Sequence, residues 1–71
     1  MEEQDKIWNC LTDKEKNSWR KQYQVYLSNI KEYLKWEEED GYLRDMERIE
    51  LHCFIGKREM MEKIFGKHNL N

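Results

Sequence analysis

Proline is absent from this 71-residue chain, and glycine occurs only at positions 41, 56 and 66. With so few breakers and little turn chemistry, helix is the default expectation. No segment reads as a flexible linker and no internal repeat is present, so residues 1–71 form one small domain. Cysteine is scarce as well. Cys10 and Cys53 lie far apart in sequence and read as two reduced thiols of a cytosolic protein, not as a disulfide framework. Apolar runs stop at three residues, as in Cys53-Phe54-Ile55, where a membrane span needs roughly 20. The opening Met1-Glu2-Glu3-Gln4-Asp5 is acidic where a secretory signal is basic and then apolar. A cytoplasmic location with no membrane partner is the expectation. An excess of one charge is missing too: 13 basic residues face 15 acidic ones, for a net charge of −2. That balance gives no global bias toward nucleic acid or lipid.

Catalytic and metal-binding patterns are equally scarce. His52, Cys53, Cys10 and His68 are the only soft metal ligands, with no C-x-x-C among them. Adjacent helical residues such as His52 and Cys53 point about 100° apart, so no zinc spacing is met. Ser18 and Ser28 are the only serines and belong to no nucleophile pattern. Neither a dinucleotide-binding glycine motif nor a phosphate-binding loop occurs. No enzyme, cofactor, metal or small-molecule substrate is implied.

What remains is a chain rich in charge and in aromatic rings. Charged residues make up 39% and apolar ones 38%. The nine aromatics, Trp8, Trp19, Tyr23, Tyr26, Tyr33, Trp36, Tyr42, Phe54 and Phe65, carry more burial than a disordered chain holds. A domain this short still buries only about 60% of the surface its unfolded chain exposes. Its core is marginal, and chains of this size commonly need a disulfide, a metal or a second subunit.

The clearest local signal is Thr12-Asp13-Lys14-Glu15. Threonine at the N-cap accepts from the backbone three residues on, and Glu15 reaches back to the threonine N–H, making a capping box. Beyond it Trp19, Tyr23, Tyr26, Leu27, Ile30, Tyr33 and Leu34 recur at steps of three and four. This predicts a helix over 13–39. A second periodic set, Tyr42, Leu43, Met46, Ile49, Cys53, Met60, Met61, Ile64 and Phe65, predicts a helix over 42–65 with Gly66 as its cap. Gly56 interrupts it, and a continuous or kinked helix is preferred there over a break. Residues 1–12, with only Ile7, Trp8 and Leu11 apolar, predict a short helical turn.

Extending the first seam in alternating steps of four and three reaches Asp40, Arg44 and Glu47, one position away from Leu43, Met46 and Glu50. One position is about 100° of helix rotation. On that reading a single continuous helix separates the two apolar faces, and a break at Gly41 lets them meet. The expected architecture is all-α, an antiparallel helical hairpin completed by oligomerisation. Val25 and Trp36, eleven residues apart, share the back of the first helix, and Leu51 and Ile55 fall outside the main face of the second. Either the N-terminal segment folds over part of this surface or a second copy or partner covers it. Glu50 and Lys57 sit within the second stripe, and either snorkel to its edge or meet charges on another helix.

Charge is segregated along the chain. Residues 32–50 hold eight acids against Lys35, Arg44 and Arg48, whereas 14–31 hold five bases against Glu15. In a hairpin the turn end is acidic and the open end basic. The resulting expectation is a small protein–protein interaction module: a regulator, adaptor or inhibitor of a larger protein, and a homodimer. It presents Trp36, Val25 and the run Glu37, Glu38, Glu39 and Asp40 to a protein partner. The alternative is a nucleic-acid-binding regulator in which Lys14, Lys16, Arg20 and Lys21, with Trp19 and Tyr23 interleaved, touch phosphates and bases. A pI of about 5.7 is low for that role.

Overall fold

The computed structural model describes residues 2–71 and is all-helical, with no strand among the described residues. Four helices follow in order: α1 (Glu2–Asn9), α2 (Asp13–Asp40), α3 (Asp45–Phe65) and α4 (Lys67–Leu70). The long axis of the molecule is 43 Å. At 1.5 Å per residue the 28 residues of α2 span about that length.

Local chemistry accounts for each boundary. Thr12 Oγ1 accepts from the Glu15 N–H at 3.2 Å, and the Glu15 carboxylate accepts from the Thr12 N–H at 2.9 Å. The Thr12 backbone N–H, and then the Thr12 hydroxyl, hold the Glu15 carboxyl below its ordinary pKa. At the other end Gly41 adopts φ +80° and donates its N–H to the Glu37 carbonyl at 2.8 Å. Only glycine enters that left-handed conformation without strain. The second helix starts at Asp45, later than the expected residue 42, because Tyr42 and Leu43 belong to the connection. There the Arg44 N–H donates to the Glu47 carboxylate at 3.2 Å. α3 runs unbroken through Gly56 and stops at Gly66, where φ is +83°. The chain then folds back as α4, a helix without a sequence signal.

Contacts between α2 and α3 descend one helix as they ascend the other. Trp19 meets Phe65 with ring centroids 5.0 Å apart, Tyr26 meets Phe54 at 6.0 Å, and the Tyr33 hydroxyl donates to the Glu50 carboxylate. Two core clusters result. Trp8, Tyr23, Met61, Phe65 and Leu70 fill one end, and Ile30, Leu43 and Leu51 fill the end beside the Gly41 turn.

The N-terminal segment is a full eight-residue helix where only a turn is expected. It does not cover Val25 and Trp36. Instead Trp8 packs edge-on against Phe65 at 5.6 Å and closes the far end of the α2–α3 pair. Polar clasps hold it there. Gln4 donates to the carbonyls of Glu62 and Lys63, satisfying the open end of α3. The Asp5 carboxylate accepts from His68 at 2.7 Å and from Asn69 at 3.0 Å.

The buried face of α3 corrects the expected one. Leu51, Phe54, Met61 and Phe65 face inward, with Ile55 beside them, while Met46, Ile49 and Met60 stand 69%, 59% and 63% exposed. The inward positions 47, 51, 54, 58, 61 and 65 continue the steps of four and three that begin at Trp19, with no offset. Two stripes compete for the interior, and the one carrying Phe54 and Phe65 wins. Those rings bury more area than Met or Ile and stack on the aromatic seam of α2. Leu51 and Ile55 therefore belong to the core side, and Leu43 is buried from the connection and not from a helix.

Candidate interaction surfaces

Three surfaces carry the exposed chemistry of the molecule. The first is the outer face of α3. At 100° per residue, Met46, Ile49, Cys53, Met60 and Ile64 fall within an arc of about 60°, roughly opposite the core-facing positions. All five are exposed, as is Tyr42 in the connection before the helix. Beside it a shallow groove of about 280 Å³ is lined by Trp19, Tyr26, Lys57, Met60, Met61, Ile64 and Phe65. Lys57 does not project from the stripe as a free charge. Its Nζ lies 5.8 Å from the centroids of both Tyr26 and Phe54, so the ammonium turns toward α2 and the aliphatic stem stays on the face.

The second surface is the back of α2 with the adjoining acidic turn. Val25 is 49% exposed and Trp36 37%. The Trp36 ring leans edge-on against Tyr33 at 5.2 Å, which shields part of it. Glu37, Glu38, Glu39 and Asp40 are all exposed, and four consecutive helical residues point to four different azimuths. They form an acidic collar instead of a pocket. Asp40 joins Arg44, Asp45 and Glu47 around a cleft at the turn. The Tyr33–Glu50 hydrogen bond lies just inside this end and pushes the Tyr33 phenol up to about 12.

The third surface is the basic half of α2. Lys14 and Lys21 share an azimuth, while Lys16 and Arg20 lie about 100–160° away, so the four do not converge on one face. Arg20 is occupied elsewhere. Its guanidinium stacks 5.1 Å from the Trp8 ring centroid and its Nε donates to the Asn69 carbonyl at 3.0 Å. Tyr23 is fully buried, and Trp19, 38% exposed, leans against Phe65. No family model, curated protein or solved structure matches this chain.

Two buried polar atoms lie between the long helices. The Tyr23 hydroxyl and Arg58 Nε have no hydrogen-bond partner, and the Glu62 carboxylate sits 3.6 Å from Arg58 Nε. Burial, and then the Glu62 charge, push the Tyr23 phenol up. None of the clefts described is lined by Tyr23 or Arg58. Among the described residues no three of His, Cys, Asp and Glu converge as a metal site, and no helix is long and apolar enough to cross a membrane. Both cysteines are free and exposed.

Sequence periodicity does detect the α3 stripe, but as core. The signal that separates the two stripes is ring content: the outer one carries Met, Ile and a thiol, the inner one two phenylalanines.

Proposed function

We propose that this chain is a non-catalytic helical interaction module, an antiparallel hairpin of α2 and α3 that docks a protein partner and is completed by self-association. The observation that carries this reading is the outer face of α3, where a file of large apolar side chains meets solvent. Scattered apolar residues are normal on a surface, but a contiguous apolar stripe marks a contact site. Val25, Trp36 and the collar Glu37, Glu38, Glu39 and Asp40 form a second surface, suited to a basic partner. Two unpaired, exposed thiols support a reducing, cytoplasmic setting.

The test compares the intact chain with Ile49→Glu and with Trp36→Ala, by light scattering and by affinity capture from the native cell. Ile49→Glu is expected to abolish self-association or partner capture while helicity holds, and Trp36→Ala to weaken capture. If both variants match the intact chain in mass and in captured proteins, the reading fails. A shift of labelled duplex DNA at low salt, lost on Lys14→Glu with Lys21→Glu, would establish the nucleic-acid alternative in its place.

A further inference from the structure

We infer that the outer face of α3 is a homodimer surface on which two copies pair antiparallel, with the twofold axis passing Cys53. This inference rests on the interaction-module reading and names its partner: a second copy of this chain.

The order of residues on the face is its own reverse. From Cys53 the stripe steps back by four and three to Ile49 and Met46, and forward by four and three to Lys57 and Met60. A twofold contact requires that if one residue meets another, the second also meets the first. Centred on Cys53, Met46 meets Met60 of the second copy. Ile49 meets the aliphatic stem of Lys57, whose ammonium is already drawn toward α2.

Charge selects the antiparallel sense. The end of the molecule at the Gly41 turn carries Glu37, Glu38, Glu39 and Asp40, and the far end carries Lys63 and Lys67. Antiparallel pairing about Cys53 brings the acidic turn end of one copy toward the end of the other that carries Lys63 and Lys67. Parallel pairing sets acid on acid, and like charges facing across an interface cost several kcal/mol. The geometry of α3 adds room: no atom lies within 4 Å of the place a Cβ would take at Gly56, so a second helix can approach there. A second copy would also enlarge a small core, since eight apolar residues are buried among those described and domains of this size commonly need a disulfide, a metal or a second subunit.

The experiment uses the full chain. Sedimentation equilibrium is expected to give a dimer, and Met46→Glu with Met60→Glu to give a helical monomer, with association weakened about 100-fold or more. Met46→Glu with Met60→Lys restores the dimer, because positions 46 and 60 face each other across copies. Mild oxidation of Cys10→Ser gives a covalent dimer through Cys53, whereas Cys53→Ser gives none. A chain that stays monomeric at high concentration overturns the dimer, and leaves the module reading standing if Ile49→Glu still abolishes capture of another protein. A dimer that survives the double glutamate variant, or is not restored by the Glu–Lys pair, overturns this face and register alone. If no association of any kind depends on α3, both readings fall.

Discussion

Leu51→Ala and Ile49→Ala, two residues apart on one helix, separate the inward stripe of α3 from the outward one. Leu51 is 5% exposed and packs with Ile30 and Leu43, whereas Ile49 is on the solvent side. Removing a buried leucine side chain costs about 2–5 kcal/mol, the spread reflecting how far the site collapses. The cluster around Leu51 has only two other buried members, with Tyr33, Phe54 and Ile55 at its margin, so part of the gap can close. A loss of about 3 kcal/mol is expected. Below 80 residues a single core rarely supplies more than about 3–5 kcal/mol in total, so the variant is left close to unfolding. With a urea slope near 1 kcal/mol/M, typical at the small end, the midpoint falls by about 3 M. Ile49→Ala changes the stability of the monomer by less than about 0.5 kcal/mol.

The assay is urea unfolding followed by circular dichroism, at low protein concentration and again at high. The Leu51→Ala loss is the same at both. The Ile49→Ala loss is near zero when dilute and grows with concentration if α3 pairs copies, because association stabilises by mass action. Equal losses for the two variants in dilute solution, or a larger one at Ile49, refute the inward placement of Leu51. The α2–α3 packing then has to be rotated by about 140°.

Further expectations concern the caps and the charged contacts. Gly41→Ala meets no steric obstacle, since its Cβ finds open space, but it must hold φ +80° and so costs about 1–2 kcal/mol by thermal melting. Thr12→Ala removes the acceptor for the Glu15 N–H and costs about 1 kcal/mol in the same assay, with little change in folded helicity. Tyr33 donates to Glu50, which holds the phenol neutral to about 12 against an ordinary 10.0. Its contribution is therefore complete below pH 10 and is lost as pH rises from there toward 12; Glu50→Gln moves the phenolate absorbance change back toward pH 10. His68, and then Asn69, hold the Asp5 carboxyl below its ordinary 3.8. That contribution is complete above the ordinary value and is lost as pH falls through the lowered one, so Asp5→Asn flattens the acid limb of a stability–pH curve.

The all-helical class, the capping box at Thr12, the Gly41 break and the inward seam of α2 are each legible in residue order. They depend on neighbours within a few positions, where spacing and cap chemistry decide. The end closure is not legible, because α1 and α4 are held by contacts across about 60 residues: Gln4 to the carbonyls of Glu62 and Lys63, and Asp5 to His68 and Asn69. No local pattern announces such bonds. Among the surfaces, the acidic run at 37–40 is visible at once from composition. The engagement of Arg20 by Trp8 and Asn69 is not, and it removes a member from the expected basic set.

The instructive error concerns phase. Counting apolar residues favours the stripe through Met46, Ile49, Met60 and Ile64, and the apparent slip of one position against α2 then explains the turn. In the folded chain no slip exists: alternating steps of four and three run from Trp19 through Tyr33, Glu37, Asp40, Arg44 and Glu47 to Leu51 and Phe65. What forces the turn is chemistry on that common seam. At Glu37, Asp40, Arg44 and Glu47 every seam position is charged, and a straight helix pairing along this line must bury four charges, where each unpaired one is strongly disfavoured. A left-handed Gly41 in the middle of that stretch turns the chain, leaves the charges at the solvated end and lets the aromatic halves close on each other. The same choice explains the surface. Because α3 has two apolar stripes and α2 has rings for only one, the Met–Ile stripe is left outside without a cover. A stripe written at core spacing is thereby excluded from the core and set on the solvent face of α3.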